Sequence, residues 1–422
     1  MYKSQEELKS RDIYLKQLIA FQDTEPVKVI TGIRRCGKSS LLQLMMRHLL
    51  ETGVSEQQIL FMNFESMEYR NMDVNAFYDY VKTKIVPKKR TYLFFDELQR
   101  LERWEDAVNS FRVDFDCDIY ITGSNAYLLS SEYSTYLSGR CVEIKMLPLS
   151  FKEFLDFHGY YESDQHDLKD WFEKYIHFGG MPGIADVGLN EFNYSTLLDG
   201  VYSTVIMRDI LDRESRRGQK RITDPVLLKK ISMFLADNIG NSTSLNSISN
   251  TLVSERMIED RSRHGKPAVQ TIQTYVNALM ESYMFYEVKR FDIKGKEELK
   301  TLGKYYIVDT GLRNYLLGYR DIDFGHVIEN IVYFELLRRG YNVLVGKVGN
   351  KEVDFIATGD NEKIYYQVTA DMNEESTKER ELAPLKMIRD NYKKVVLTMN
   401  ADSTASVEGI QIVKLIDFLL QN

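Results

Sequence analysis

Gly32-Ile33-Arg34-Arg35-Cys36-Gly37-Lys38-Ser39 is the stretch that decides how this chain is read. Two glycines flank four variable residues and are followed by lysine and serine, the spacing with which a backbone wraps phosphate. Glycine permits the tight turns that aim successive N–H groups at phosphate oxygens. Lys38 adds a positive charge for the outer phosphates, and Ser39 a hydroxyl for Mg2+. A helix over residues 39–50 brings the positive end of its dipole to the same place. The pattern therefore predicts a nucleoside triphosphate held by Gly32, Ile33, Arg34, Arg35, Cys36, Gly37, Lys38, Ser39 and Ser40.

The surroundings have the order such a loop requires. Val27-Lys28-Val29-Ile30-Thr31 precedes it with strand character, and Leu41-Leu42-Gln43-Leu44-Met45-Met46 follows as an apolar helix start. A second strand, Tyr92-Leu93-Phe94-Phe95, ends in Asp96-Glu97. Asp96 is expected to support Mg2+ and Glu97 to polarise the attacking water. A third strand over residues 118–122 leads into Gly123-Ser124-Asn125, which places a polar side chain at another strand end. Ser124 and Asn125 are both candidates for a contact with the outermost phosphate; the same triplet is also ordinary turn chemistry.

At 422 residues the chain is long enough for two or three domains, and a 44% hydrophobic share supplies their cores. No apolar run reaches the ~18 residues of a membrane span, and residues 1–7 are charged and polar with no signal-peptide core, so no membrane partner is expected. Cys36, Cys117 and Cys141 have no metal-ligand spacing and are too few to staple a fold, which points to a reducing cytoplasm. A net charge of −7 argues against a surface coated for nucleic acid, while residues 213–221 and 261–266 are locally basic.

Along the chain, residues 1–25 read as a helix carrying Ile13, Leu15, Leu18, Ile19 and Phe21. Residues 26–145 alternate strands with helices, the pattern of a mainly parallel sheet whose ligands sit at the carboxyl ends of its strands. Residues 150–220 read as helical, broken at Gly179-Gly180-Met181-Pro182-Gly183. Residues 221–300 hold several short helices and end in a strand near 283–290, an order that fits a winged-helix module with residues 270–279 as recognition helix. Its Thr and Gln side chains suit DNA; a packing domain that touches no nucleic acid is the other reading. Residues 325–422 form a second α/β unit.

Together these pieces resemble the prokaryotic P-loop ATPases with an AAA+-like AAA_14 domain at the amino end and a DUF4143 domain at the carboxyl end. The resemblance rests on the phosphate loop, on Phe95-Asp96-Glu97-Leu98-Gln99 and on Thr122-Gly123-Ser124-Asn125. It rests also on Leu137-Ser138-Gly139-Arg140, Leu147-Pro148-Leu149-Ser150-Phe151, Gly179-Gly180-Met181-Pro182, Tyr306-Ile307-Val308-Asp309-Thr310-Gly311-Leu312, Glu329-Asn330 and Glu352-Val353-Asp354-Phe355. It implies an α/β P-loop ATPase domain over 1–150, a helical segment over 151–220, a winged-helix-like domain over 221–324 and a restriction-endonuclease-like domain over 325–422. It implies ATP and Mg2+ as ligands, with Glu97 and Lys38 catalytic. Asn125 or Ser124 would serve as the sensor AAA+ proteins place at this strand end. Arg140 stands where an arginine that senses the γ-phosphate would come from, in its own chain or a neighbouring copy; Arg208 and Arg213 are further candidates. DNA, a protein partner and a second copy of the chain are the partners it suggests.

Nucleases of the restriction type carry an acid on the first helix, an Asp at one strand end, and Glu-x-Lys on the next strand. Glu329 and Asp354 fit the first two places. The third reads Gln367-Val368-Thr369, so an acid and the lysine are replaced. The loss of a transition-state charge partner predicts an inactive or very slow nuclease fold, with an active Mg2+-dependent nuclease as the alternative reading. Neither Lys351 nor Lys363 has the spacing to substitute.

Overall fold

The computed structural model describes residues 8–124, 139–160, 168–211, 222–254, 268–320, 324–360, 362–400 and 405–421. The chain divides into two compact units, residues 1–146 with 281–283, and residues 147–280 with 284–422.

The first unit runs α1 (Asp12–Ala20), β1 (Val27–Thr31), α2 (Lys38–Glu51), β2 (Ile59–Asn63), α3 (Val74–Lys84), β3 (Thr91–Asp96), α4 (Trp104–Asp114), β4 (Cys117–Gly123) and β5 (Cys141–Lys145). Its sheet has the order β2-β3-β4-β1-β5 with every pair parallel. β1 and β3 are buried along their whole length, which is why they read as unbroken apolar runs rather than alternating ones. Asp73 caps α3 by accepting from the N–H groups of Asn75 and Ala76, and Phe77 of that helix meets Phe95 and Phe111 edge-on at 4.9 and 5.2 Å. Such ring pairs add about 1 kcal/mol each to the area they bury. Lys28, the charge inside β1, pairs with the equally buried Asp118 of β4. Of the helix expected over residues 1–25, the described residues show Asp12–Ala20, and residues 1–7 lie outside them.

The second unit opens with α5 (Phe151–Phe157), α6 (Leu168–Phe178), α7 (Gly183–Val187) and α8 (Glu191–Thr204), which continues into a π-helical turn, Val205–Leu211. Then come α9 (Pro225–Asp237), β6 (Ser242–Thr243), α10 (Leu245–Ser254), α11 (Val269–Glu281), β7 (Phe285–Asp292), β8 (Glu297–Ile307), α12 (Thr310–Leu317) and α13 (Phe324–Arg338). The chain closes with β9 (Asn342–Val348), β10 (Lys351–Thr358), β11 (Lys363–Thr369), α14 (Glu375–Lys386), β12 (Lys393–Thr398), β13 (Ala405–Val407), β14 (Ile410–Lys414) and α15 (Leu415–Leu420). The strands form one mixed sheet, β13-β14-β12-β11-β10-β9-β7-β8-β6. β7–β9, β11–β12 and β12–β14 are parallel and the remaining pairs antiparallel. Among the described residues, no helix is long and apolar enough to cross a membrane.

The Gly-Gly-Met-Pro and Asp-Thr-Gly-Leu blocks meet inside this unit. Asp309 caps α12 by accepting from Leu312 N–H at 2.9 Å, and its other carboxylate oxygen accepts from Gly180 N–H at 2.6 Å. A Cβ on Gly179 would lie 2.4 Å from Asp309 Oδ1, and one on Gly311 2.2 Å from the Phe178 carbonyl, so both positions need glycine. Burial pushes the Asp309 carboxyl up to about 6, against the pull of the N–H groups of Gly180, Leu312 and Gly311. A carboxyl that holds its proton more tightly folded than unfolded favours the fold at low pH. Its contribution is complete below about 4 and is lost as pH rises through about 6, a swing of about 3 kcal/mol. Asp309→Asn is expected to flatten the melting temperature of this unit across that window; a variant with the wild-type slope would show that Asp309 does not titrate there.

Candidate nucleotide site

The phosphate loop leaves β1 at Gly32 with φ 144°, and a Cβ there would fall 2.1 Å from the Met146 carbonyl oxygen, so no other residue fits. Arg35 and Gly37 are left-handed, at φ 62° and 107°. No side chain caps α2 at Gly37, which leaves the first N–H groups of the helix to an anion. Lys38 is buried, and its ammonium donates to the carbonyls of Gly32 and Ile33 at 2.9 and 3.1 Å. Ser39 is exposed and Ser40 half-buried. The Cys36 thiol is fully buried and pushed up by that burial, which makes it an inert spacer. Arg11, buried at the start of α1, donates to the Cys36 carbonyl at 3.2 Å; nothing in the sequence signals this support.

The parallel register brings the acidic pair to the same edge. Asp96 stands beside Asn63 of β2 and is 1% exposed. Its Oδ1 accepts from Thr122 Oγ1 at 2.5 Å and its Oδ2 from Asn63 Nδ2 at 3.0 Å. Burial pushes this carboxyl up, while the hydroxyls of Thr122 and Ser39 work in the other direction. A carboxylate hydrogen-bonded to the loop serine is an all-oxygen donor set, which suits the hard cation Mg2+. Glu97 adopts φ 54°, a conformation costing a non-glycine residue about 1 kcal/mol. Its N–H donates to Thr122 Oγ1 at 2.9 Å, and its Oε2 accepts from Gln99 Nε2 at 2.5 Å and from Ser124 Oγ at 3.3 Å. Burial acts to raise its carboxyl, but the charges of Lys38 and Arg34 prevail and hold it below the usual carboxylate range. Thr122 thus orients both acids at once.

Of the two sensor candidates, Ser124 touches Glu97, and Asn125 lies outside the described residues. Arg140 is not brought to the loop of its own chain. Its carbonyl accepts from Val27 N–H at 2.9 Å, and β5 pairs Cys141 with Val27. That is the amino edge of the sheet, on the order of 13 Å from the phosphate loop at the far end of β1. The expectation that Arg140 serves its own nucleotide is corrected by this register. Arg213 and the side chain of Arg208 lie outside the described residues.

In the second unit, Glu329, Asp354 and Gln367 lie together, and a lysine from another strand joins them. Lys304 of β8 places its buried ammonium 2.8 Å from Glu329 Oε1 and 2.7 Å from Glu352 Oε1. Tyr306 donates to the same Glu329 oxygen at 2.5 Å. Gln367 Nε2 donates to Glu381 Oε2 at 3.1 Å, and Asp354 Oδ2 accepts from Val368 N–H at 2.8 Å. Burial would strip Lys304 of its proton, yet the surrounding carboxylates keep it charged. Lys304 holds Glu329 below the usual carboxylate range, while burial and the Glu329 charge push Asp354 well above it. Thr369 donates instead to the Asp371 carbonyl, and the Lys363 ammonium lies over the rings of Phe291, Tyr365 and Tyr392. Among the described residues, no group of three or more His, Cys, Asp or Glu could hold a metal ion.

A glycine loop between strand and helix, with an acidic pair two strands away on one parallel sheet, defines a P-loop ATP-binding domain of the AAA type. Residues 24–155 match the AAA domain AAA_14 accordingly. Residues 169–323 match DUF8612, a domain of unknown function. That range contains both Gly-Gly-Met-Pro and Asp-Thr-Gly-Leu, so the assignment of these blocks to DUF4143 is corrected to DUF8612. An uncharacterized protein of Haemophilus influenzae is 42% identical over 417 residues, 98% of each chain. Uncharacterized protein MJ1544 of Methanocaldococcus jannaschii is 30% identical over 410 residues, 93% of this chain and 85% of that one. The chain belongs to the family of these two proteins. The solved Walker-type ATPase PABY2304 of Pyrococcus abyssi is a looser match, with 17% identity and a TM-score of 0.48 over 74% of this chain and 97% of that one.

Proposed function

We propose that the protein is a Mg2+-dependent ATPase. In this reading Lys38, Ser39 and the loop backbone hold the phosphates, Ser39 and Asp96 support the metal, and Glu97 takes the proton from the attacking water. The observation that carries it is the meeting of Ser39, Asp96, Thr122 and Glu97 in one hydrogen-bonded set at the carboxyl edge of the parallel sheet. Bound Mg2+ supplies charge neutralisation to the phosphates. Equilibrium binding of fluorescent ATP with Mg2+, followed by phosphate release, tests this reading; no affinity for any nucleoside triphosphate sinks it.

Hydrolysis couples to DNA binding or remodelling in this proposal. Support comes from α9, α10, α11 and the β7–β8 hairpin, whose order suits a winged-helix domain within 221–324. On α11, Gln270, Gln273 and Asn277 are exposed along one face while Ile272, Tyr275, Val276 and Leu279 are buried. A mobility-shift series across salt concentrations should give binding that falls steeply with salt; absence of binding at low salt discards the coupling to DNA. The net charge of −7 favours a second reading, a nucleotide-gated switch that binds a protein partner. An ATP-dependent protein partner in a cross-linked pull-down would select it. The domain over 325–422 acts in either case without cutting DNA in this reading, because Gln367 stands where the metal set needs an acid. Arg140, exposed on the far edge of its own sheet, is available to a neighbouring copy in a homo-oligomer. Three free cysteines suit action in the cytoplasm.

A further inference from the structure

Arg34 fills a variable position of the phosphate loop, where the loop pattern itself asks for no charge. Its guanidinium is only 12% exposed and faces acids on two other segments. Nη2 lies 4.0 Å from Glu97 Oε2, and Nη1 lies 3.3 Å from Glu65 Oε1 just beyond β2. Arg100, in the turn after Glu97, shares that Glu65 oxygen at 2.6 Å. Glu97, Arg34, Glu65 and Arg100 thus alternate in sign across the mouth of the site.

Among the described residues, the groups facing Glu97 include Arg34 and Lys38 on the loop and α2, Gln99 and Arg100 after β3, Ser124 after β4, and the neighbouring Asp96. The Arg34, Gln99 and Ser124 contacts converge on one carboxylate oxygen, Oε2. Lys38 is likewise turned onto protein, bonded to two loop carbonyls. Arg34 and Lys38 are therefore each engaged with groups of the protein.

Resting on the ATPase reading above, we propose that Arg34 is the residue that distinguishes ATP from ADP in this site. In this structure Arg34 is tied to Glu97 and Glu65. With a triphosphate in place, its guanidinium turns to the terminal phosphate and leaves Glu97 free to accept from water. The exchange is favourable because Arg34 lies 4.0 Å from Glu97 and shares Glu65 with Arg100. A phosphate carries more charge and offers the paired oxygens a guanidinium fork fits. No bond is made or broken in this step; it is an exchange of ion-pair partners within one chain, and it links the water-activating carboxylate to the arrival of the phosphate to be cleaved.

The test compares affinities, with turnover as a second readout. Fluorescent ATP and ADP are titrated with Mg2+ into the full-length protein carrying Glu97→Gln, alone and combined with Arg34→Ala or Arg34→Lys. Arg34→Ala is expected to weaken ATP by about tenfold or more while ADP stays within about twofold, the signature of one lost charge-assisted contact. Arg34→Lys should recover part of the ATP preference, since the charge returns without the fork. In the otherwise wild-type chain, Arg34→Ala should raise KM for ATP and lower kcat. If Arg34→Ala changes ATP and ADP affinity equally, or neither, the inference is wrong although the ATPase reading stands. If the wild-type protein binds neither nucleotide, the ATPase reading itself fails.

Discussion

Glu97→Gln should hold ATP and fail to turn it over. The amide keeps the length and planarity of the side chain, and its oxygen still suits Ser124 Oγ, 3.3 Å away in the wild type. The main-chain N–H that binds Thr122 Oγ1 is untouched, so Asp96 and the loop remain oriented. What disappears is the ability to take a proton. General-base catalysis contributes about 10²–10⁴ in rate, or about 3–5 kcal/mol of barrier, and a variant that only loses this term keeps its nucleotide affinity. Phosphate release measured beside the dissociation constant for ATP separates the two effects. A variant with the wild-type rate would remove Glu97 from the mechanism. One that loses affinity and rate together would make its role structural, holding Gln99 and Arg34 at the mouth of the loop.

The parts of the site carried by consecutive residues were legible from the sequence. The phosphate loop and the Asp96-Glu97 pair are each a local pattern on a predicted strand, and β1, β3 and β4 form within a residue of where their apolar runs place them. The residues that orient the acids were not legible, because their position depends on lateral strand order. Asn63 reaches Asp96 only because β2 pairs with β3 in register, and Thr122 reaches both acids only because β4 lies on the other side. Of the two alternatives for Arg140, service to its own nucleotide is excluded for the same reason. Its closeness in sequence to the sheet says nothing about which edge it occupies, and parallel pairing sends it to the edge away from the loop. In the second unit, Glu329 and Asp354 came from the family resemblance, while Lys304 was missed because β8 carries charges and Gly303 and so does not read as a buried strand. A search for the missing lysine among nearby residues of the motif could not find one supplied by another strand of the sheet.

Lys304→Met should destabilise the second unit by about 3–5 kcal/mol, the cost of leaving a buried carboxylate without its counter-charge. Methionine keeps most of the apolar stem, so the loss reports charge rather than a cavity. In the wild type the ammonium sits between Glu329 and Glu352 and also faces Asp354, and Glu329 is itself 6% exposed. Glu329 and Glu352 share one buried cation, so its removal cannot be offset by a rearrangement between them. The sign of the pH dependence gives an independent check. In the wild type Lys304 holds Glu329 below its ordinary value, a contribution present above about 4.5 and lost as pH falls. Without the lysine, burial acts on Glu329 against only the hydrogen bonds of His326 and Tyr306 and pushes it up, so the variant should regain stability as pH falls. Adding Glu329→Gln to Lys304→Met should restore more than half of the loss, because the charge that needed compensation is gone. Hydrogen exchange across β8 and α13 measures these changes locally, without assuming that the whole chain unfolds in one step. A loss under about 1 kcal/mol would mean that water, rather than Lys304, compensates the cluster.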